Sequence, residues 1–247
     1  MERRTMWSGG DAAPREYRGR LFHGLPDLLL ATRSEHKAAE ARRVLESECG
    51  GPVRLVTLAE AQVERLAEED DLEPFATFEE NAAAKARYYA RRTAMTVVAD
   101  DSGLEVEALG WGPGVRTKRF APPGRYPGLS RDEANNEHLL ERLGELPNAT
   151  RVARYVCVAC LCDPVGESTR HFRGEAYGRI LEERRGDGGF GYDPLFLAED
   201  QGRSYAELSP SDKNALSHRG RAFRAVARFL SDLQRAGAQQ STGDPRR

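Results

Sequence analysis

Two adjacent carboxylates, Asp100 and Asp101, follow a short apolar run near the middle of the chain. Neighbouring carboxylates can hold a divalent metal ion through one oxygen and orient a water molecule through another. The alternative for Asp100-Asp101-Ser102-Gly103 is an ordinary Asx-type turn. Two charges at the end of an apolar segment repel each other unless a cation or water satisfies them, so metal binding is the more economical interpretation.

A second acidic segment lies about thirty residues upstream. It contains Glu68, Glu69, Asp70, Asp71 and Glu73. Most of such a run is typical of a solvated loop. Any one of these side chains could complete a metal site, and spacing alone does not choose among them.

Several cations lie near predicted helix starts, where unpaired backbone amides and the helix dipole already favour anions. Lys37, Lys85 and Lys213 can each neutralise part of a triphosphate, and Arg219 adds a fourth cation. The alternative for any single lysine is a solvated helix face. Their shared association with helix starts favours phosphate binding.

The segment 184–194 is rich in glycine and contains one phenylalanine, Phe190. Glycine lets the backbone approach a ligand closely, and the ring can stack on a nucleobase. The alternative is a strand connection in which Phe190 anchors the core. The residue order excludes a Walker-type phosphate loop but not a base pocket.

His218 and Arg219 can together donate hydrogen bonds to a carbonyl acceptor. Adenine carries an amino group where a 6-oxo purine carries this carbonyl, and that amino group would meet the two donors with a third donor. A polar site discriminates strongly against such a mismatch. The pair therefore favours 6-oxo purines over adenine. The alternative for His218 is an ordinary surface histidine.

Capping signals and apolar runs predict the elements that position these residues. Capping boxes begin at Thr77 and Ser130, and Ser209-Pro210 opens a further helix that Gly220 is expected to interrupt. We expect helices at about 37–48, 78–93 and 131–143 and after about 210, and strands at 28–31, 96–99, 153–162 and 168–181. The strand at 96–99 would end at the acidic pair, where open α/β sheets bind ligands. A mixed sheet in an α/β fold follows.

Composition bounds the remaining possibilities. The chain has 247 residues and a formal net charge of −2, which gives no global basic field for binding nucleic acid or an anionic membrane. No apolar stretch approaches the length of a membrane helix, and we expect a cytoplasmic protein. Cys157, Cys160 and Cys162 lie in an apolar strand and are expected to be reduced core thiols rather than metal ligands.

Several motifs in the same order resemble the inosine triphosphate pyrophosphatase family, the XTP/dITP diphosphatases. They are T-F-E-E-N-A-x-x-K-A at 77–86, A-D-D-S-G-L-E-V at 99–106, P-G-V at 113–115, G-G-F-G-Y-D-P at 188–194 and the segment 213–220. The resemblance implies a two-lobed α/β fold with a long central mixed sheet flanked by helices and an active-site cleft between the lobes. It also implies a homodimer. The domain would span 25–236, between a flexible N-terminal extension (1–24) and a disordered tail (237–247).

The resemblance further implies Mg²⁺-dependent hydrolysis of dITP, ITP and XTP to the monophosphate and pyrophosphate, by water attack at the α-phosphorus. Asp101 would be the general base and, with Glu73, a metal ligand. The other residues implied to bind substrate are Thr32, Arg33, Ser34, Glu35, His36, Lys37, Lys85, Ser102, Phe190, Gly191, Tyr192, Asp193, Lys213, His218 and Arg219.

Two residues of the first phosphate loop differ from the pattern of the family. Ser34 stands where asparagine is usual, and His36 stands where glycine is common. These differences leave two alternatives open. One is a nucleotide-binding regulator with weakened catalysis, and the other is a pyrophosphatase of the same fold that acts on a different modified nucleotide.

Overall fold

A computed structural model describes residues 27–49, 53–146, 150–164, 168–199 and 201–241. The predicted N-terminal extension, 1–24, lies outside the described residues, and so do residues 242–247 of the predicted tail. Residues 237–241 form the end of the last helix, so the prediction of a disordered tail from 237 onward is wrong for these five. None of the helices described is long and apolar enough to cross a membrane.

The helices follow the capping signals of the sequence. They are α1 (Glu35–Glu48), α2 (Phe78–Thr93), α3 (Arg131–Gly144), α4 (Pro210–Leu216) and α5 (His218–Ser241). Thr77 accepts a hydrogen bond from the backbone amide of Glu80, and Ser130 forms a reciprocal capping box with Glu133. These side chains satisfy amides that the first helical turn leaves unpaired, which is why the predicted starts of α2 and α3 are confirmed.

The strands form a mixed sheet, as the sequence predicts. They are β1 (Leu28–Leu30), β2 (Leu55–Thr57), β3 (Thr96–Val106), β4 (Gly112–Pro113), β5 (Val152–Cys162), β6 (Thr169–Ile180) and β7 (Phe196–Ala198). Within the described ranges the order is β2-β1-β3-β5-β6-β7, with β4 paired to β3. β1 runs parallel to β2 and β3, whereas β4 is antiparallel to β3 and β7 is antiparallel to β6.

The acidic pair lies inside a strand, and the prediction of a strand that ends at Asp100 is wrong. β3 continues to Val106 because Leu104 and Val106 are fully buried and join a hydrophobic cluster. The register nevertheless pairs Leu28–Leu30 with Thr96–Val98. The two carboxylates therefore lie just beyond the segment of β3 that pairs with β1, separated from it by Ala99.

Gly220 does not interrupt the C-terminal helix. The break occurs at Ser217, an extended residue that ends α4 just before α5 begins. A Cβ atom on Gly220 would lie 1.8 Å from the carbonyl oxygen of Asn214, so glycine is required there by close packing of the two helices.

The chain forms two compact units, with a boundary at the Asp101–Ser102 peptide bond. Among the described residues, the first unit contains those within 27–101, 158–173 and 222–241, and the second contains those within 102–157 and 174–221. Buried apolar side chains of the first unit come from β1, α1 and α2, including Leu28, Leu29, Leu30, Val44, Leu45, Ala82, Ala86 and Ala90. The core of the second unit is a cluster that includes Leu104, Leu139, Tyr155, Ile180, Leu195, Phe196 and Tyr205.

The cysteines of β5 are buried free thiols, as predicted. Cys157, Cys160 and Cys162 are each less than 2% exposed, and Cys49 is a half-buried free thiol. Burial raises the pKa of Cys162 to about 12, so its thiol stays protonated at neutral pH. The three side chains of β5 pack as small apolar groups.

Candidate functional site

The first unit places cations and an amide against the acidic pair of β3. Lys37 Nζ, from the first turn of α1, lies 3.0 Å from Asp100 Oδ2, and both side chains are 3% exposed. Asn81, from the first turn of α2, donates its Nδ2 to Asp101 Oδ2 at 2.9 Å. Two helix N-termini therefore direct one polar side chain each at the neighbouring carboxylates.

Lys85 lies one turn after Asn81 on α2 and so shares its face of the helix. Its ammonium forms an ion pair with Glu73, the carboxylate of the acidic segment that was predicted to be a metal ligand. Burial lowers the pKa of Lys85, but the charges of Glu73 and of the acidic pair outweigh that effect and raise it above its ordinary value. Lys85 therefore remains a cation near the carboxylates of Glu73, Asp100 and Asp101.

Asp101 has the electrostatic character expected of a base. Burial raises the pKa of the Asp101 carboxyl, and the nearby charge of Glu73 raises it further. Lys37 and Lys85 act in the opposite direction and offset only part of this rise. A raised pKa brings a carboxylate closer to the value that suits proton transfer near neutral pH.

Glu73 and Asp101 fit a divalent metal as a partial donor set. Carboxylate oxygens are the ligands that Mg²⁺ prefers, and the effect of Glu73 on the pKa of Asp101 shows that the two charges act on one another. The described residues contain no group of three or more His, Cys, Asp or Glu side chains arranged around a common metal position. An ion held here would therefore need further oxygen ligands from substrate or water.

Arg33, predicted to bind substrate, is paired with Glu69 within the protein. Its Nε and one terminal nitrogen donate to the two carboxylate oxygens at 3.0 and 2.8 Å. Arg33 also donates to the carbonyl oxygens of Val63 and Glu64. Glu69 thus belongs to an internal network and is not available for a metal.

Two side chains of α2 complete the network around Glu69. Tyr89 donates its hydroxyl at 2.7 Å and Arg92 donates at 3.0 Å. Burial alone would raise the pKa of Glu69, but the hydrogen bonds from Arg33 and Tyr89 bring it down from 4.5 to about 2. We call Arg33, Glu69, Tyr89 and Arg92 the Glu69 network. It connects the loop after β1, the acidic segment and the C-terminal end of α2.

The other residues of the first loop have distinct positions. The hydroxyl of Thr32 accepts from the amide of Ser34, and the side chain of Ser34 caps α1 by accepting from the amide of Lys37. Glu35 and His36 are exposed. Serine and asparagine are both preferred helix caps, so the cap of α1 does not by itself distinguish Ser34 from the usual asparagine.

The second unit gathers the residues that were predicted to bind the base. Asp193 Oδ2 accepts from the backbone amide of Phe190 at 2.9 Å and from Lys213 Nζ at 2.5 Å. The Lys213 ammonium lies 4.5 Å from the centre of the Phe190 ring, and the Arg219 guanidinium lies 5.7 Å from it. Lys213, which the sequence predicts to bind phosphate, lies beside this aromatic ring.

Arg219 and His218 begin α5 and are almost fully buried. Arg219 is 2% exposed and donates to the hydroxyl of Ser102 at 2.7 Å. The His218 ring stacks on Tyr155, with centroids 4.5 Å apart and planes within 6°. The alternative of a surface histidine is therefore wrong.

Tyr192 has a structural position. Its ring is 4% exposed within the hydrophobic cluster, and its hydroxyl donates to the carbonyl oxygen of Thr117 at 2.8 Å. Gly191 has a φ of +63°, a left-handed conformation that favours glycine. These two residues shape the loop that carries Phe190.

Sequence reasoning missed two side chains that support the site. Asn81 was overlooked because an asparagine inside a helix carries no signal of its own partner. Tyr155 was assigned only to an apolar strand, and nothing in the sequence shows that its ring stacks on His218. The capping box before Asn81 fixes the helical phase, which is the one signal that places it on the same face as Lys85.

Comparison with known proteins shows the family to which the chain belongs. The sequence model of the Ham1 family matches residues 28–229. The chain is 46% identical to a dITP/XTP pyrophosphatase of Frankia alni over 209 residues, which cover 83% of this chain and 98% of the relative. It is 41% identical to a dITP/XTP pyrophosphatase of Anaeromyxobacter sp. over 235 residues, which cover 86% of this chain and all of the relative.

Solved structures agree as well. A HAM1 protein from Coxiella burnetii superimposes with a TM-score of 0.72 at 33% identity, covering 83% of this chain and 98% of the other. The Ham1 protein of Staphylococcus aureus gives a TM-score of 0.68 at 32% identity, covering 84% of this chain and 99% of the other. The fold of the chain is that of these proteins.

Proposed function

Because this chain belongs to the Ham1 family, we propose that it hydrolyses the non-standard purine nucleotides dITP, XTP and ITP to the monophosphate and pyrophosphate. The observation that carries the proposal is the pair of residue sets in the two units. The first unit supplies buried carboxylates with two lysines, and the second supplies an aromatic ring with donors for a base.

The proposed chemistry assigns a proton transfer to Asp101. Its carboxylate, with a pKa raised by burial and by Glu73, takes a proton from the water that attacks the α-phosphorus. Asn81 holds the carboxylate in place by donating to Oδ2. Lys37 and Lys85 bind phosphate oxygens as the charge shifts to the pyrophosphate leaving group.

We further propose Mg²⁺ as the metal, held by Glu73 and Asp101. A divalent ion bound there would supply Lewis-acid charge to the phosphate oxygens. The support from this chain is the hard-oxygen donor set and the electrostatic effect of Glu73 on Asp101. Since Lys85 pairs with Glu73 in the structure, Lys85 would exchange that carboxylate for phosphate when substrate and metal bind.

Selectivity for the base is proposed to lie in the second unit. Phe190 stacks on the purine, while Arg219 and His218 supply donors to the 6-oxo group. A homodimer, which the sequence resemblance implies, and a cytoplasmic location, which the composition favours, are part of the same proposal. Size-exclusion chromatography with light scattering tests the dimer independently of activity.

The experiment that tests the function is release of pyrophosphate by the purified chain with Mg²⁺. We expect dITP and XTP to be hydrolysed with a kcat/KM at least about 100-fold above that for dATP, the discrimination available when a polar site meets the wrong hydrogen-bonding group. An Asp101→Asn variant is the matched control for contaminating phosphatases. Equal turnover of dITP and dATP, or none of either, would reject the proposal.

A further inference from the structure

Two side chains of helix α3 form hydrogen bonds with the backbone of Gly191, in the loop that carries Phe190. Asp132 Oδ2 accepts a hydrogen bond from the amide of Gly191 at 2.8 Å. Asn136 Nδ2 donates to the carbonyl oxygen of Gly191 at 3.0 Å. Asp132 and Asn136 lie four residues apart, so they project from one face of the helix and grip the same residue.

These two hydrogen bonds to Gly191 restrict the position of the Phe190 ring. Gly191 directly follows Phe190 and has a left-handed φ of +63°. On the other side of the ring, the amide of Phe190 is held by Asp193 Oδ2 at 2.9 Å. Two consecutive backbone amides of the turn are therefore held by side chains. Asp193 holds the amide of Phe190, and Asp132 of α3 holds the amide of Gly191.

Asn136 makes this contact at a cost to its own hydrogen bonding. The residue is 3% exposed, and its buried Oδ1 has no hydrogen-bond partner among the residues that the structure describes. The carbonyl of Gly191 dictates the orientation, since a flipped amide would place two acceptors against each other. A buried acceptor left unpaired is destabilising, so an apolar side chain of similar size removes that penalty and offsets the lost hydrogen bond to the half-buried carbonyl of Gly191.

The preceding residue provides the contrast. Asn135 is also buried, but both halves of its amide are used, because Oδ1 accepts from the amide of Ala121 at 2.9 Å and Nδ2 donates to the carbonyl of Lys118 at 3.2 Å. Asn135 therefore has the contacts of a side chain that stabilises the fold. Asn136 satisfies one group of the base loop and leaves its own acceptor unpaired.

We propose that Asp132 and Asn136 are positioning residues that set base selectivity by holding Gly191, and with it Phe190, in the stacking position. This rests on the proposed function, because it assigns Phe190 to the purine. Neither residue belongs to the sets described above as touching substrate. They act through the peptide groups of the loop, and loss of either frees the ring to move.

The test compares Asn136→Leu and Asp132→Ala with Asn135→Leu. For each variant, kcat and KM are measured with dITP and dATP, and thermal unfolding is followed by circular dichroism. We expect Asn136→Leu and Asp132→Ala to raise KM for dITP by roughly five- to tenfold, the effect of about one hydrogen bond, and to lower the dITP/dATP ratio of kcat/KM. The value of kcat for dITP should change by less than about twofold because Asp101 and the lysines are untouched.

The unfolding temperatures of the variants show whether Asn136 positions the loop or only stabilises the fold. Asn136→Leu should unfold at the same temperature as the unsubstituted protein or higher, whereas Asn135→Leu should unfold at a lower temperature and keep its selectivity. The double variant Asp132→Ala/Asn136→Leu should be no less selective than the worse single variant, because both residues hold Gly191.

Two results would overturn the inference. One is unchanged selectivity in both Asn136→Leu and Asp132→Ala. The other is a loss of stability in Asn136→Leu as large as that in Asn135→Leu. Asp132→Ala keeps the test decisive if the leucine variant does not fold, since Asp132 is exposed. Failure of the proposed function is recognised separately, because the unsubstituted protein would then show no preference for dITP.

Discussion

Asp101 is the residue in which burial, charge and chemistry coincide most clearly. It is 4% exposed, accepts a hydrogen bond from Asn81, and has its pKa raised first by burial and then by Glu73. A carboxyl whose pKa is higher in the folded protein than in the unfolded chain binds its proton more tightly when folded. Its ionisation therefore reduces stability as the pH rises above the ordinary value of 3.8.

Because ionisation of Asp101 opposes folding, the Asp101→Asn variant should lose activity and gain stability. We expect turnover of dITP to fall by at least about 100-fold, the smaller end of what a general base contributes. At pH 7 the variant should unfold at a higher temperature, because the amide removes a buried charge that opposes folding. The measurements are pyrophosphate release and thermal unfolding on the same samples.

Asp100→Asn is the matched control for that prediction. It removes the carboxylate that Lys37 contacts at 3.0 Å in a buried position, so the fold should become less stable. If Asp101→Asn instead lost stability to the same degree as Asp100→Asn, the assignment of Asp101 as a destabilised base would be wrong. Retained turnover in Asp101→Asn would exclude its catalytic role directly.

At the scale of elements, the Glu69 network connects three segments that carry the phosphate-binding residues. It links the loop before α1, the acidic segment and the last turns of α2 through a carboxylate whose side chain is 5% exposed. Arg33 therefore acts on the position of the loop, and its charge is already neutralised by Glu69. A direct phosphate contact by Arg33 would require this pair to separate.

A double-mutant cycle on Arg33→Gln and Glu69→Gln distinguishes these roles. We expect both single variants to raise KM for dITP to a similar extent, and the double variant to be no worse, with a coupling free energy of unfolding of about 1 kcal/mol or more. The exposed pair Arg65 and Asp70, from the same segment, is the control and should show coupling close to zero. Additive effects on KM, with Arg33→Gln the more harmful, would indicate direct phosphate binding.

The same network has a defined dependence on pH. Because its folded-state pKa is lowered from 4.5 to about 2, Glu69 stabilises the fold fully above pH 4.5 and loses that contribution as the pH falls toward 2. Urea unfolding between pH 6 and pH 3 should therefore show a steeper decline for the unsubstituted protein than for Glu69→Gln.

At the scale of the whole molecule, folding and metal binding should be separable. Each unit is held by its own apolar core, and the described residues contain no cluster of three or more metal-ligating side chains. A metal that depends on substrate oxygens for part of its coordination contributes little to the stability of the free protein.

Chelation with EDTA should therefore abolish hydrolysis and leave the protein folded. We expect the unfolding temperature to move by less than about 2 °C, which corresponds to less than about 1 kcal/mol for a chain of this size. Mg²⁺ with a non-hydrolysable purine triphosphate should raise it by more than either ligand alone. Unfolding upon chelation would reveal a structural metal, and hydrolysis in its absence would refute the role of Mg²⁺.

Local chemistry in the sequence was sufficient to determine where helices begin and what reaction the chain could support. Thr77 and Ser130 satisfy the amides of the turn that immediately follows them, so the starts of α2 and α3 could be predicted without tertiary contacts. The motifs at 99–106 and 188–194 likewise carry their residue types in order along the chain, which identified the family. β2 and β7, of three residues each, were missed because such short strands have little periodicity to detect and lack the leucine run that marks the equally short β1.

Only the tertiary structure decided which partner each side chain has. β3 passes through its acidic pair because Leu104 and Val106 are buried in a cluster built from residues distant in sequence. Arg33 binds Glu69, 36 residues away, and a basic side chain beside a phosphate loop looks the same in sequence whether it faces a ligand or the protein. Hydrogen bonding and burial depend on distances in space, and these are set when the whole chain packs.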